Sequence, residues 1–144
     1  MRLLGLDHGA RRIGIAVGDT KTGMAFARTA LKRRGGSADI AELVDLARRE
    51  GSERVVVGLP RNMDGSEGSQ AAAARAFGAR LVMAGLDVVY GDERLTSWQA
   101  AQGLAAAGRR VDRRSGELDS AAARLILQEY LDAQTTPGRG TEAR

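Results

Sequence analysis

Three carboxylates hold the chemistry this chain could perform. Asp7 ends an apolar run, Leu3-Leu4-Gly5-Leu6, just before a glycine-containing turn. Glu93 follows a second apolar run, Leu86 to Gly91, within Asp92-Glu93-Arg94. Asp119 opens a helical stretch in which Ala122, Ala123, Ile126 and Tyr130 recur at spacings of three and four. A carboxylate on an apolar helix face points toward what that face covers, and burying it is costly unless a cation compensates. Clustered carboxylates repel and raise one another's pKa, a conflict that a divalent metal resolves. Oxygen donors without a cysteine partner suit Mg2+ or Mn2+. Two such ions promote in-line attack on a phosphodiester by stabilising the attacking and leaving oxygens. A single ion keeps the charge argument and weakens only the two-metal mechanism. Each acid also has a plain structural reading. Asp7 could shape a turn, Glu93 could pair with Arg94, and Asp119 could cap its helix.

Basic residues flank these acids. Arg11 and Arg12 lie in the turn beside Asp7 and suit bidentate phosphate binding, or are solvated turn charges. Arg61 and Asn62 follow an apolar run and could reach the same edge. Arg94 is either a phosphate contact or the partner of Glu93. Arg109, Arg110, Arg113 and Arg114 form the densest basic run, read as a clamp on RNA or DNA or as a solvated loop. His8, the only histidine, invites a general-base role, but metal-bound water needs no such base and a structural role is the simpler reading.

The elements that must position these groups follow from periodicity. Two strands joined by a short turn fit Arg2 to Asp19, and Met24 to Leu31 reads as a third strand. Lys32 to Gly36 is a basic turn. Ser37 to Glu50 reads as a helix, with Asp39 and Glu42 as a capping pair, Ile40, Leu43, Val44 and Ala47 on one face, and Gly51 at its end. Arg54 to Gly58 is a continuous apolar run, as in a strand buried on both faces. A loop from Leu59 to Gly65 precedes a long helix from Ser66 to Ala84, closed by Gly85. Leu86 to Gly91 is the fifth strand. Thr96 and Gln99 form a capping box for a helix to about Ala107, and Gly108 to Gly116 is expected to be a mobile loop. A final helix runs from about Glu117 to Ala133. If the first and last strands lie centrally, Asp7 and Glu93 come side by side, and the final helix lays Asp119 over them. Residues 1–134 then form one α/β domain with an antiparallel start, and 135–144 a disordered tail.

Composition sets the outer limits. At 144 residues, 43% of them apolar, the chain suits one globular domain. No apolar run approaches membrane-span length, and no signal peptide is seen, so the expected location is cytoplasmic. With no cysteines, disulfides, thiol catalysis and Cys-based zinc sites are excluded. A net charge of +4 favours a polyanionic partner such as nucleic acid, while five aromatics are too few for a base-stacking recognition sheet.

LDHGARRIGIAVGD, VVVGLPRNMDGSEG, DERLTS and LDSAAARLILQEYL, in this order and spacing, resemble the YqgF/RuvX family from Arg2 to about Ala133. Its members are described as Holliday junction resolvase-like proteins and as nucleases maturing the end of pre-16S ribosomal RNA. The resemblance implies a ribonuclease H-like fold, a mixed five-stranded sheet with its first three strands antiparallel and helices on its flanks. It implies that Asp7, Glu93 and Asp119 bind the metal, with hydrolysis by metal-activated water. Substrate contacts are implied for the Gly58-Leu59-Pro60 loop and the basic residues near the turn. Many relatives carry a basic residue shortly before the last acid; here Glu117 and Leu118 precede it, and Arg113 or Arg114 supplies the charge from further away. The expected partners are structured RNA, branched DNA and ribosomal precursor particles, with monomer and homodimer both open. Competing readings are a non-catalytic nucleic-acid-binding module and half of an actin or sugar-kinase nucleotide site, the latter disfavoured by length.

Overall fold

Four of the first six residues, Leu3 to Leu6, are buried, and this run becomes the central strand of a five-stranded sheet. The protein is seen in a computed structural model that describes residues 1–92 and 117–135, with side chains from 120 to 134 in the second stretch. The elements are β1 (Arg2–His8), β2 (Arg12–Asp19), β3 (Met24–Lys32), α1 (Gly36–Glu50), β4 (Arg54–Leu59), α2 (Ser69–Met83), β5 (Val88–Asp92) and α3 (Glu117–Thr135). The sheet order is β3-β2-β1-β4-β5. β1 to β3 are antiparallel neighbours, and β4 and β5 run parallel to β1. β1 is therefore central as expected, but β5 is an edge strand. β4 stands between the two, so the ends of β1 and β5 are two strand spacings apart, about 10 Å.

Side-chain alternation assigns the two faces. Leu4, Leu6, Ile13, Ile15, Val17, Val55 and Val57 pack with Ile40, Leu43 and Ala47 of α1 and with Phe77 and Leu81 of α2. Leu3, Ala16, Ala25 and Val56 pack with Ala123, Ile126, Leu127 and Leu131 of α3. Helices thus cover both faces, which is why the strands read as near-continuous apolar runs. The α3 face is lined by glycine. A Cβ on Gly5 would lie 2.8 Å from the Leu127 Cβ and 3.2 Å from the Ala123 carbonyl oxygen, and one on Gly18 3.0 Å from Leu131 Cδ1. Glycine at these two places lets the helix approach the sheet backbone.

Several boundaries differ from expectation for local reasons. Gly35 caps α1 without a side-chain hydrogen bond. Asp39 reaches back to accept from the backbone N–H groups of Arg34 and Gly35, whereas Glu42, expected as its capping partner, pairs with Arg34 instead. α2 begins at Ser69, not Ser66, because residues 62–66 close on themselves: Asn62 N–H donates to the Ser66 carbonyl and Ser66 N–H to the Asp64 carboxylate. Gly51 and Gly85 adopt positive φ after α1 and α2, as the sequence implied. Gln128 of α3 accepts from the N–H of Ala25 and donates to the carbonyl of Gly23, at the start of edge strand β3. α3 extends through Thr135, one residue into the stretch expected to be disordered. The expected helix from Thr96 to Ala107, the loop at 108–116 and the rest of the tail lie outside the described residues. Among the described residues, no helix is long and apolar enough to cross a membrane.

Candidate functional site

Asp7 is the next-to-last residue of β1, and alternation from Leu3 and Gly5 turns it to the α3 face. Its neighbours across the sheet are glycines. Gly14 is its partner in β2. Leu6 pairs with Val57, so Gly58 follows in β4 at the level of Asp7, and Gly58 pairs with Gly91 of β5. The row across four strands is Gly14, Asp7, Gly58, Gly91, and the Asp7 carboxylate is the side chain that rises from it. Glycine inside a strand weakens it and commonly marks a close approach by another group. The sequence carries that signal as one glycine inside an apolar run and two that end apolar runs.

The first turn of α3 arrives over the same place. Ser120 is buried and accepts a hydrogen bond, at 3.4 Å, from the backbone N–H of Ile15, the residue paired with Leu6. The β2–β3 register shifts between Ile13 and Ile15, so this contact falls at an irregularity in the ladder. Asp119 directly precedes Ser120, so its backbone is brought to the Asp7 end of the sheet. Its side chain lies outside the described residues, as do Glu93, Arg94, Arg109, Arg110, Arg113 and Arg114. β5 ends at Asp92, opposite Leu59, with Glu93 next in the chain. Among the described residues no three histidine or acidic side chains cluster as a metal site. Of the expected ligand set, only the Asp7 side chain is described; its hard oxygen donor, on a row without neighbouring side chains, fits Mg2+ or Mn2+.

The basic residues divide. Arg12 alternates onto the same face as Asp7, two positions before Gly14. Arg11 is exposed in the turn. Arg61 lies 3.7 Å from Glu67 and 3.8 Å from Asp92, and Glu67 in turn takes two 2.8 Å hydrogen bonds from Arg75. Those bonds hold the Glu67 carboxyl below its ordinary pKa. This chain of alternating charges ties the loop after β4 to the end of β5 and to α2. Asn62 donates to the Ser66 hydroxyl within that loop. Arg33, read from sequence only as part of a basic turn, proves central. Its Nη1 donates to the carbonyls of Gly9 and Ala10, which fixes the β1–β2 turn and sets the guanidinium at the mouth of a cleft of about 450 Å³ lined by Asp7, Gly9, Pro60 and Ser69 among others.

His8 alternates to the opposite face. Its ring stacks on Phe77 of α2, with centroids 4.5 Å apart. Burial, reinforced by the Arg33 charge and opposed by Asp39, pushes its pKa below the ordinary 6.5. A neutral imidazole behind the sheet matches the structural role the sequence favoured.

Comparison with known proteins agrees with this architecture. A family model described as "RuvX: Holliday junction resolvase" matches residues 1–133. A Moorella thermoacetica protein named "Putative pre-16S rRNA nuclease" is 47% identical over 133 residues, covering 92% of this chain and 95% of that one. Among solved structures, the fowlpox virus resolvase in complex with Holliday junction DNA superposes with a TM-score of 0.56 at 12% identity, covering 94% of this chain and all of that one. RuvC of T. thermophilus in complex with a Holliday junction substrate superposes with a TM-score of 0.52 at 17% identity, covering 93% and 95%. At these identities the structural likeness concerns the fold, which is ribonuclease H-like.

Proposed function

We propose that this chain, which belongs to the RuvX family, is a metal-dependent nuclease whose substrate is the 5′ end of pre-16S ribosomal RNA. The observation that carries the reading is the placement of Asp7. Its neighbours in the strand row are glycines, and it lies at the carboxyl end of the central strand, beneath the first turn of α3. Among the described residues, that row offers a phosphodiester no other strand side chain to meet. Asp7, Glu93 and Asp119 would hold Mg2+ or Mn2+. Support for Glu93 is the period-two alternation of Val89 and Gly91 toward α3, and support for Asp119 is its position next to buried Ser120. The bound metal supplies charge stabilisation and an activated water for in-line hydrolysis. The chain's own residues do the rest. Arg12 places positive charge on the reacting face, Arg33 fixes the turn that carries it, and the Arg61–Glu67 pair sets the loop that borders the site. The name of the 47% identical relative supports the RNA substrate, and the family description keeps a DNA junction as the second reading.

The test is cleavage of a 5′-extended 16S precursor and of a four-way DNA junction by the purified protein, with Mg2+, Mn2+ or EDTA. Trimming of the precursor that requires metal, and that Asp7→Asn, Glu93→Gln and Asp119→Asn each abolish, is expected. Junction cleavage without precursor trimming transfers the function to branched DNA. Cleavage by Asp7→Asn at the wild-type rate sinks the site assignment.

A further inference from the structure

The cleft beside Asp7 does not stop at the sheet edge. Its residues His8, Arg33 and Ala73 also line a second cavity, of about 240 Å³, between the start of α1 and the exposed side of α2. The two spaces adjoin at these residues and together outline one candidate path. It starts at Asp7 and the first turn of α2, passes Arg33, and ends at Arg80 in the last turn of α2. Ser69 to Arg80 spans about 16 Å at the helical rise.

Its walls are suited to a sugar–phosphate chain. On α2 the path follows Ser69, Gln70, Ala73, Ala76, Phe77 and Arg80; Ala73 and Ala76 are the small side chains between its two ends, and Phe77 is buried. Arg33 and Arg80 supply positive charge. Beyond Asp7 at its start, the acidic residue on the path is Asp39, which is buried, with its carboxylate oxygens turned to the N–H groups of Arg34 and Gly35. Burial alone would raise that carboxyl; the two N–H bonds and the neighbouring arginines outweigh it and keep the pKa low. The acid therefore offers a phosphate little open carboxylate. The two spaces, about 240 and 450 Å³, are sized for one strand and not for a duplex.

We infer that this groove on the α1–α2 side of the sheet binds a single-stranded extension of the nucleic-acid substrate, running from the cleavage edge past Arg33 to Arg80. At the stacked rise of a strand, about 3.4 Å per nucleotide, the path holds about four or five nucleotides. The inference rests on the nuclease reading for its substrate class. It adds that the chain discriminates by what continues beyond the scissile bond: a substrate with an unpaired end is gripped on both sides of the sheet.

The test compares one structured RNA in three forms: blunt, with a five-nucleotide 5′ extension, and with a five-nucleotide 3′ extension. Dissociation constants are measured by anisotropy alongside cleavage rates, for the wild type, Arg80→Glu, Arg80→Ala and Ala76→Leu, with Arg48→Glu as a charge control outside the groove. One of the extensions is expected to tighten binding about tenfold. That increment should vanish in Arg80→Glu and Ala76→Leu and persist in Arg48→Glu, while Arg80→Ala lowers the salt slope for the extended form by about one. All three sites are exposed, so thermal melts should report intact folds. No tightening by either extension in the wild type, or an increment that survives Arg80→Glu and Ala76→Leu, overturns the inference. Absence of cleavage on every form refutes the nuclease reading instead, and the binding increment still judges the groove.

Discussion

The two faces of the sheet meet the same edge and are built in opposite ways. On the α3 face, glycines at positions 5, 18 and 91 bring helix atoms to about 3 Å from where a Cβ would stand, and the row around Asp7 carries no other side chain. On the α1–α2 face the strands present leucine, isoleucine and valine, the helices stand off by a full side-chain layer, and an arginine-flanked groove remains. Interiors are close-packed, so the first arrangement fixes geometry and the second leaves room. Reacting groups need to be held within a fraction of an ångström, which suits the proposed site to the tight face. A flexible strand needs a track, which the looser face provides. Asp7 and His8 are adjacent in sequence and fall on different sides of this division.

Experiments can break the contrast in descending order of effect. Asp7→Asn should reduce cleavage by at least about a hundredfold, the upper scale for removing a mere support of a metal ligand. A comparable loss from His8→Asn would erase the distinction between faces. Gly5→Ala adds one methyl where backbone and a Cβ already stand, so it should cost about 1–3 kcal/mol in chemical denaturation. Ser120→Ala strands the Ile15 N–H and should cost about 1–2 kcal/mol, with cleavage falling further than stability because α3 loses its anchor beside Asp7. His8 supplies a pH signature for the looser face. Its folded pKa lies below 6.5, so the unfolded chain takes up the proton first as pH falls. Stability is complete above about 6.5 and is lost below it, toward the folded-state pKa, and the difference between wild type and His8→Gln across pH 7 to 5 should carry that slope. Ala76→Leu, three carbons larger but in the groove, should change stability by no more than about 0.5 kcal/mol. A large loss there would mean that the groove is packed after all.

Much of this architecture was legible in the sequence, and the failures have physical reasons. β1, β2 and β4 announced themselves as uninterrupted apolar runs because both their faces are buried. The ends of α1 and α2 were readable because Gly51 and Gly85 stop helices by backbone geometry. The start of α2 was misplaced by three residues because a side-chain-closed turn competes with helix for the same Ser and Asp residues. The edge position of β5 could not be read, since strand order is set by crossovers and not by composition. Asp7 lies at a strand end, as the apolar run before it implies, yet the glycine row beside it needed the register. Arg33 was passed over because a basic residue in a turn looks like any solvated charge until its carbonyl partners are known.

The Gln128 amide on β3 has a consequence for how copies of this chain can meet. An edge strand is an invitation to extend the sheet, and β3 carries exposed Met24 and Phe26 that would reward a visitor. By answering both Gly23 and Ala25, one side chain impersonates the first rung of a sixth strand. Any newcomer must evict it before pairing begins. The start of that flank is thereby occupied by a residue of the helix whose first turn stands over Asp7, so the guarding of the edge and the placement of the proposed site are inherited together from α3.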